Sequence, residues 1–196
     1  MGCGKSSVGR RLSQLLCCPF MDLDEEIEAA AGKSIPEIFA EDGEEAFRSL
    51  EAERLSAALA PSHSKAAGPS PYAGVRKCQF RTSASPHEPL SCENAADEGS
   101  MKVLALGGGT VMRKECAEMV KEKTLCIYLQ ASVETLVSHL EGETANRPML
   151  QGESLRERIS SLMAKRSATY EDTAHIIIDT DGKDIDVIVE EIRRSI

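Results

Sequence analysis

The chain has 196 residues, is 41% hydrophobic and carries a formal net charge of −9. That is apolar material for one good core, and too acidic a balance for a general nucleic-acid or membrane-surface binder. Seven cysteines, an odd number without C-x-x-C or C-x-x-H spacing, read as reduced thiols rather than a disulfide or zinc framework. No apolar run approaches the roughly 20 residues of a membrane span and no signal peptide is visible, so the cytosol is the default compartment.

The chain opens on Met1-Gly2-Cys3-Gly4-Lys5-Ser6-Ser7. Gly2-Cys3-Gly4-Lys5-Ser6 is the back half of a Walker A loop, G-x-x-x-x-G-K-[ST], running into an amphipathic helix. A phosphate needs closely approaching backbone N–H groups, which glycine permits, plus a helix N-terminus, a lysine charge and a hydroxyl for magnesium. Lys5 is placed to reach the β- and γ-phosphates of a nucleotide and Ser6 to ligate the metal. The same string fits the N-myristoylation pattern M-G-x-x-x-[ST], with Cys3 placed for palmitoylation. An acylated Gly2 could not also line a phosphate loop.

Val8, Leu12, Leu15 and Leu16 recur at helical spacing, predicting a helix from Ser6 to about Leu16 with one buried stripe. Pro19 to Asp24 reads as a short strand whose end carries Asp22 and Asp24 on one side, where ligands bind in open α/β sheets. The plainer reading is that Asp24 caps a helix from Glu25 to Ala31. Gly32 ends that helix, and Ser34-Ile35-Pro36-Glu37 is a capping box opening a short helix through Phe39. A longer helix runs from Glu44 to about Leu59, with Phe47, Leu50 and Leu55 inward. Arg48 is either a solvated arginine or a clamp for a substrate anion.

Residues 61–100 hold five of the eight prolines, many serines and no sustained apolar periodicity, the composition of a mobile insertion. Val103 to Leu106 resumes as a buried strand ending in Gly107-Gly108-Gly109, where glycine permits a close ligand approach or simply a turn. Leu125 to Leu129 is a further strand, followed by a helix capped at Ser132. A polar stretch from Glu141 leads to Arg147-Pro148. Ser154-Leu155-Arg156-Glu157 caps a helix carrying Lys165, Arg166 and Tyr170, His175 to Asp179 is the last strand, and Ile185, Ile188, Val189 and Ile192 mark the final helix. Strands alternate with helices throughout, which implies an α/β fold, a parallel sheet covered by helices on both faces, in a single domain.

In this order the residues resemble the shikimate kinases of the P-loop, nucleoside-monophosphate-kinase-like group. The resemblance rests on the G-x-G-K-S loop, Phe20-Met21-Asp22-Leu23-Asp24, Gly32 through Phe39, Gly43-Glu44 through Phe47-Arg48, Gly107-Gly108-Gly109, Arg147-Pro148, and Lys165-Arg166 followed by Tyr170. It covers nearly the whole chain outside 61–100 and implies ATP-dependent phosphorylation of the 3-hydroxyl of shikimate, a step toward aromatic amino acids, by a monomeric cytoplasmic enzyme using magnesium. It further implies that Gly2 to Ser7 and Arg147 contact the nucleotide and that Ser6 and Asp22 hold the metal, Asp22 through its outer shell. Asp24 would bind substrate hydroxyls and accept the proton, Lys5 and Arg147 would neutralise the transferred phosphoryl, and Arg48 and Arg166 would grip the carboxylate, with Gly107, Gly108 and Gly109 against the ring. Residues 141–150 would form the lid.

The chain departs from that pattern in three places. The segment before Arg147 is short and acidic, with His139-Leu140 where arginine is frequent, the adenine-side loop near Asp181-Gly182-Lys183 is too variable for roles to be carried over, and the central strand entering the P-loop, with its first glycine, is missing. Losing about five buried apolar side chains at ~1.5–3 kcal/mol each is comparable to a domain's whole stability. The expectation is therefore a sequence truncated at its N-terminus. A gluconate-type kinase of the same fold, a non-catalytic kinase-like binding protein and a lipid-anchored protein are the alternatives.

Overall fold

A computed structural model of the chain describes residues 2–60, 101–140 and 155–196. The 61–100 insertion, the lid at 141–150, Arg147 and the Ser154 cap lie outside the described residues. Helix α1 (Lys5–Leu15) follows Gly4, which takes a left-handed φ of 73° that favours glycine. Val8 and Leu12 on its inner stripe pack with Ile188, Val189 and Ile192 of the last helix, α8 (Ile185–Ser195). Ile185, in the first turn of α8, is 42% exposed and lies outside that cluster.

Strand β1 (Phe20–Asp22) is shorter than expected, since helix α2 (Leu23–Ala31) begins at once. Asp22 is its N-cap, accepting from the Asp24 N–H at 3.1 Å. Asp24 thus stands in the first helical turn, neither at a strand end nor as the cap, and Gly32 closes the helix in the left-handed region. Helix α3 (Ile35–Glu41) has its capping box: the Glu37 carboxylate accepts from both the backbone N–H and the hydroxyl of Ser34. Helix α4 (Gly43–Leu59) buries Phe47, Glu51, Leu55 and Ala58.

Strand β2 (Val103–Ala105) pairs in parallel with β1, Met21 opposite Leu104. The glycines after it lead into a single 3-10 turn (Thr110–Met112) before α5 (Lys114–Lys123), rather than directly into an α-helix. Strand β3 (Ile127–Gln130), α6 (Val133–Leu140), α7 (Leu155–Thr173) and β4 (Ile176–Asp179) follow, with β3 and β4 parallel. One side of the strands meets α1 and α8. The other meets α2 to α5 through Leu23, Ile27, Ile38, Leu55 and Val120, while α6 and α7 close over Cys3 with Leu136, Leu140 and Ile159. The architecture is the expected parallel α/β one, but the described strands form two two-stranded sheets, and a cavity of about 900 Å³ lies between β2 and β3.

Candidate active site

The first cluster forms where α1 begins beside the end of β1. Gly4 turns the chain so that the first turn of α1 presents Lys5 and Ser6 to two carboxylates. Lys5 Nζ lies 3.3 Å from Asp24 Oδ2 and 3.7 Å from Asp22 Oδ2. The Ser6 hydroxyl donates to Asp22 Oδ2 at 2.6 Å, and Asp22 is 5% exposed. Asp22 therefore has three partners at once: the α2 terminus, Ser6 and Lys5. The Ser6–Asp22 pair is an all-oxygen donor set, of the kind magnesium uses when it keeps most of its waters. No cluster of three or more His, Cys, Asp or Glu that could cage a metal occurs among the described residues.

The second cluster is built on α4. Arg48 Nη1 donates to Glu51 Oε2 at 2.7 Å, and Glu51 in turn accepts from the Thr110 hydroxyl at 2.5 Å. Glu51 is 2% exposed, and Arg48 also pairs with Glu44 at 3.3 Å. Burial alone pulls the Arg48 guanidinium's pKa down. The hydrogen bond and charge of Glu51, with Glu44 behind it, outweigh burial and push it above its ordinary value. The guanidinium is further fixed over the Phe47 ring, 5.2 Å from its centroid.

The glycines join the two clusters. A Cβ on Gly107 would stand 2.8 Å from Asp24 Oδ1 and 2.9 Å from Glu51 Oε1, and one on Gly109 would overlap the Arg48 guanidinium. Side chains are excluded there because charged groups from α2 and α4 already press on the backbone. The Gly108 carbonyl accepts from Arg166 Nη1 at 3.1 Å and from the Tyr170 hydroxyl, so α7 is tied to the same turn. Burial pushes the Tyr170 phenol above its ordinary pKa.

Lys5, Ser6, Asp22, Asp24, Arg48, Gly107, Gly108, Gly109 and Arg166 thus converge on one end of β1 and β2. Gly2 and Cys3 lie apart from the carboxylates, against α6: the Gly2 carbonyl accepts from His139 Nδ1 at 2.7 Å, and Cys3 packs with Leu136 and Leu140. Ser7 is exposed on the first turn of α1. Glu51 and Thr110 went unnoticed in the sequence, although Phe47, Glu51, Leu55 and Ala58 share one helical stripe and a carboxylate there signals a buried partner. His139 has no local signal, and Tyr170 enters the sequence reading only through its place after Lys165-Arg166.

A family model described as shikimate kinase matches residues 1–66 and 86–196 of the chain. The shikimate kinase of Dictyoglomus turgidum is 38% identical over 194 residues, covering 98% of this chain and 90% of that protein. That of Chlorobaculum parvum is 35% identical over 203 residues, covering 100% of this chain and 87% of the relative. Among solved structures, the shikimate kinase from Acinetobacter baumannii in complex with shikimate superposes with a TM-score of 0.76 at 28% identity, covering 100% of this chain and 87% of that one. The Aquifex aeolicus enzyme gives 0.69 at 27% identity, covering 100% and 90%.

Proposed function

The chain belongs to the shikimate kinase family, and from that premise we propose that it transfers the γ-phosphoryl group of ATP to the 3-hydroxyl of shikimate. The observation that carries the reading is the position of Gly107. Its backbone lies against both Asp24 and the Glu51 that fixes Arg48, so a hydroxyl acceptor and a carboxylate clamp face one pocket beside the phosphate-loop lysine.

In this reading Lys5 and the N-terminus of α1 hold the phosphate tail, where a point charge and free N–H groups suit anionic oxygens. Arg48 and Arg166 present forked guanidinia to the planar carboxylate of the acceptor, Arg48 held by Glu51 and Arg166 by Gly108. Asp24 accepts the proton as the hydroxyl attacks, and Arg147 adds charge at the phosphoryl from the lid. Ser6 and Asp22 would hold magnesium, the latter through water; bound there, the ion neutralises charge on the phosphates. Catalysis is then mostly alignment and charge neutralisation.

Seven cysteines without framework spacing support a reducing compartment such as the cytoplasm. No helix among the described residues is long and apolar enough to cross a membrane. Coupled ADP release with ATP, magnesium and either shikimate or gluconate tests the proposal. Release that depends on shikimate and falls at least a hundredfold in Asp24→Asn is expected; equal release with gluconate, or none with either acid, overturns it.

A further inference from the structure

The peptide plane between Gly2 and Cys3 is held by α6 at two points. The Gly2 carbonyl accepts from His139 Nδ1, in the last turn of that helix, at 2.7 Å. The Cys3 side chain packs against Leu136 and Leu140. The loop backbone also comes close to the helix: a Cβ on Gly2 would stand 2.9 Å from Leu140 Cγ and 3.4 Å from the Leu136 carbonyl oxygen. The start of α6 is fixed as well. There the Ser132 N–H donates to Asp181 Oδ1 at 2.9 Å, and the Thr135 N–H donates to the Ser132 hydroxyl at 3.2 Å. His139 therefore offers its donor from a set position.

A carbonyl can only accept, so this bond requires the proton on Nδ1. In a trans peptide C=O and N–H point in opposite directions, and no described peptide bond is cis. Tying the Gly2 carbonyl to α6 thus turns the Cys3 N–H away from that helix. Gly2 and Gly4 have left-handed φ of 66° and 73°, whereas Cys3 between them does not. Such alternation makes successive N–H groups converge on one anion while their carbonyls face outward, and outward is where His139 stands. Lys5, next along, reaches Asp24 and Asp22 rather than α6.

We propose that His139 is a positioning residue of the phosphate loop: its Nδ1–H holds the Gly2 carbonyl outward, so that the Cys3 N–H donates to a phosphate oxygen of the nucleotide. This rests on the kinase reading and adds to it a residue that acts through the loop backbone. The acceptor side is separate, since Arg48 and Arg166 are held by Glu51 and Gly108. His139 is also exposed, so its removal opens no cavity and leaves no buried charge.

Calorimetric titration of the full chain with magnesium-ADP and, separately, with shikimate tests this in the parent, His139→Ala and His139→Asn. Asparagine keeps a neutral N–H donor bonded to Cγ, the place of Nδ1, yet is a poorer helix former than alanine. Rescue by it therefore reports the hydrogen bond, and neither charge nor helix stability. The Kd for ADP should rise at least fivefold in His139→Ala, the loss of one charge-assisted hydrogen bond, and stay within twofold of the parent in His139→Asn. The Kd for shikimate should be the same in all three. Bound ADP should slow exchange of the Cys3 amide at least tenfold in the parent and His139→Asn, and less than twofold in His139→Ala. Four results overturn the proposal while the kinase reading stands: equal ADP affinity in the parent and His139→Ala, equal weakening by both substitutions, a parallel loss of shikimate affinity, or a Cys3 amide that bound ADP leaves unprotected. A parent that binds no ADP overturns the kinase reading, and the proposal with it.

Discussion

Replacing Glu51 with Gln tests whether the buried carboxylate holds the proposed substrate clamp. The substitution keeps the shape and one acceptor oxygen, so the Thr110 hydroxyl bond at 2.5 Å can persist at neutral strength. The charge-assisted bond from Arg48 at 2.7 Å is lost or weakened, and a hydrogen bond to a charged group contributes about 1.5–3 kcal/mol. Glu44 cannot compensate, being 59% exposed at 3.3 Å from Arg48, where an ion pair is worth at most about 1 kcal/mol. The expected loss for Glu51→Gln is about 2 kcal/mol. Glu51→Ala, which leaves the half-buried guanidinium with only exposed Glu44 and takes the acceptor from the Thr110 hydroxyl, should cost about 3–5 kcal/mol. Urea unfolding followed by circular dichroism reads both as shifts in midpoint at constant slope. In Glu51→Gln the KM for shikimate should rise at least fivefold with a smaller change in kcat, because the residue positions Arg48 and does not touch the reacting atoms. A Glu51→Gln protein within about 0.5 kcal/mol of the parent, the size of an ordinary surface substitution, would refute the reasoning.

Gly109→Ala should raise the KM for shikimate at least tenfold and lower stability by no more than about 2 kcal/mol, the loss expected for Glu51→Gln, since the displaced Arg48 Nη1 is the donor to Glu51. The added Cβ meets the movable end of Arg48 rather than backbone, so an unchanged KM would remove Arg48 from the clamp. Tyr170→Phe should cost about 1 kcal/mol through the lost bond to the Gly108 carbonyl. Burial raises the Tyr170 phenol, so its contribution is complete below the ordinary tyrosine value near pH 10 and is lost as pH rises through the higher folded value. The alkaline fall in thermal midpoint should accordingly be shallower in Tyr170→Phe, and an identical fall would contradict this. Ser34→Ala opens the capping box of α3 and should lower stability by about 1 kcal/mol in the same urea titration.

Local signals reveal most of the elements and half of the site. The phosphate loop announces Lys5 and Ser6, because glycine, lysine and hydroxyl stand at fixed offsets in one short string. The capping box at Ser34 is equally local. Asp24 is harder: whether it ends a strand or begins a helix depends on Asp22 capping α2, a choice between neighbouring carboxylates that periodicity does not decide. Glu51 and Thr110 stand 59 positions apart, and only the packing of α4 against the turn after β2 brings them together. The cavity between β2 and β3 is the extreme case. Val103 to Ala105 and Ile127 to Leu129 read as buried strands, yet which backbone edges have neighbours is a property of sheet order, and no residue type reports it.

The position of Lys5 implies an order of events at the proposed site. It is shared between Asp24 at 3.3 Å and Asp22 at 3.7 Å, so the carboxylate proposed to meet the acceptor hydroxyl is occupied by the cation proposed to meet the phosphates. A nucleotide's phosphate tail brings several negative charges to the same lysine. At about 4 Å and an effective dielectric of about 20, each unit charge interacts by about 4 kcal/mol, so a multiply charged tail outcompetes one carboxylate. Drawing Lys5 toward the phosphates frees Asp24 Oδ2 for the acceptor hydroxyl. Titration of shikimate by calorimetry should therefore give a Kd at least threefold lower in the presence of a non-hydrolysable ATP analogue and magnesium than in their absence. Lys5→Met should abolish that coupling while leaving shikimate binding without nucleotide as tight as in the parent or tighter, since Asp24 is then free from the outset. Equal affinities with and without the analogue would show that the Lys5–Asp24 contact does not gate the acceptor site.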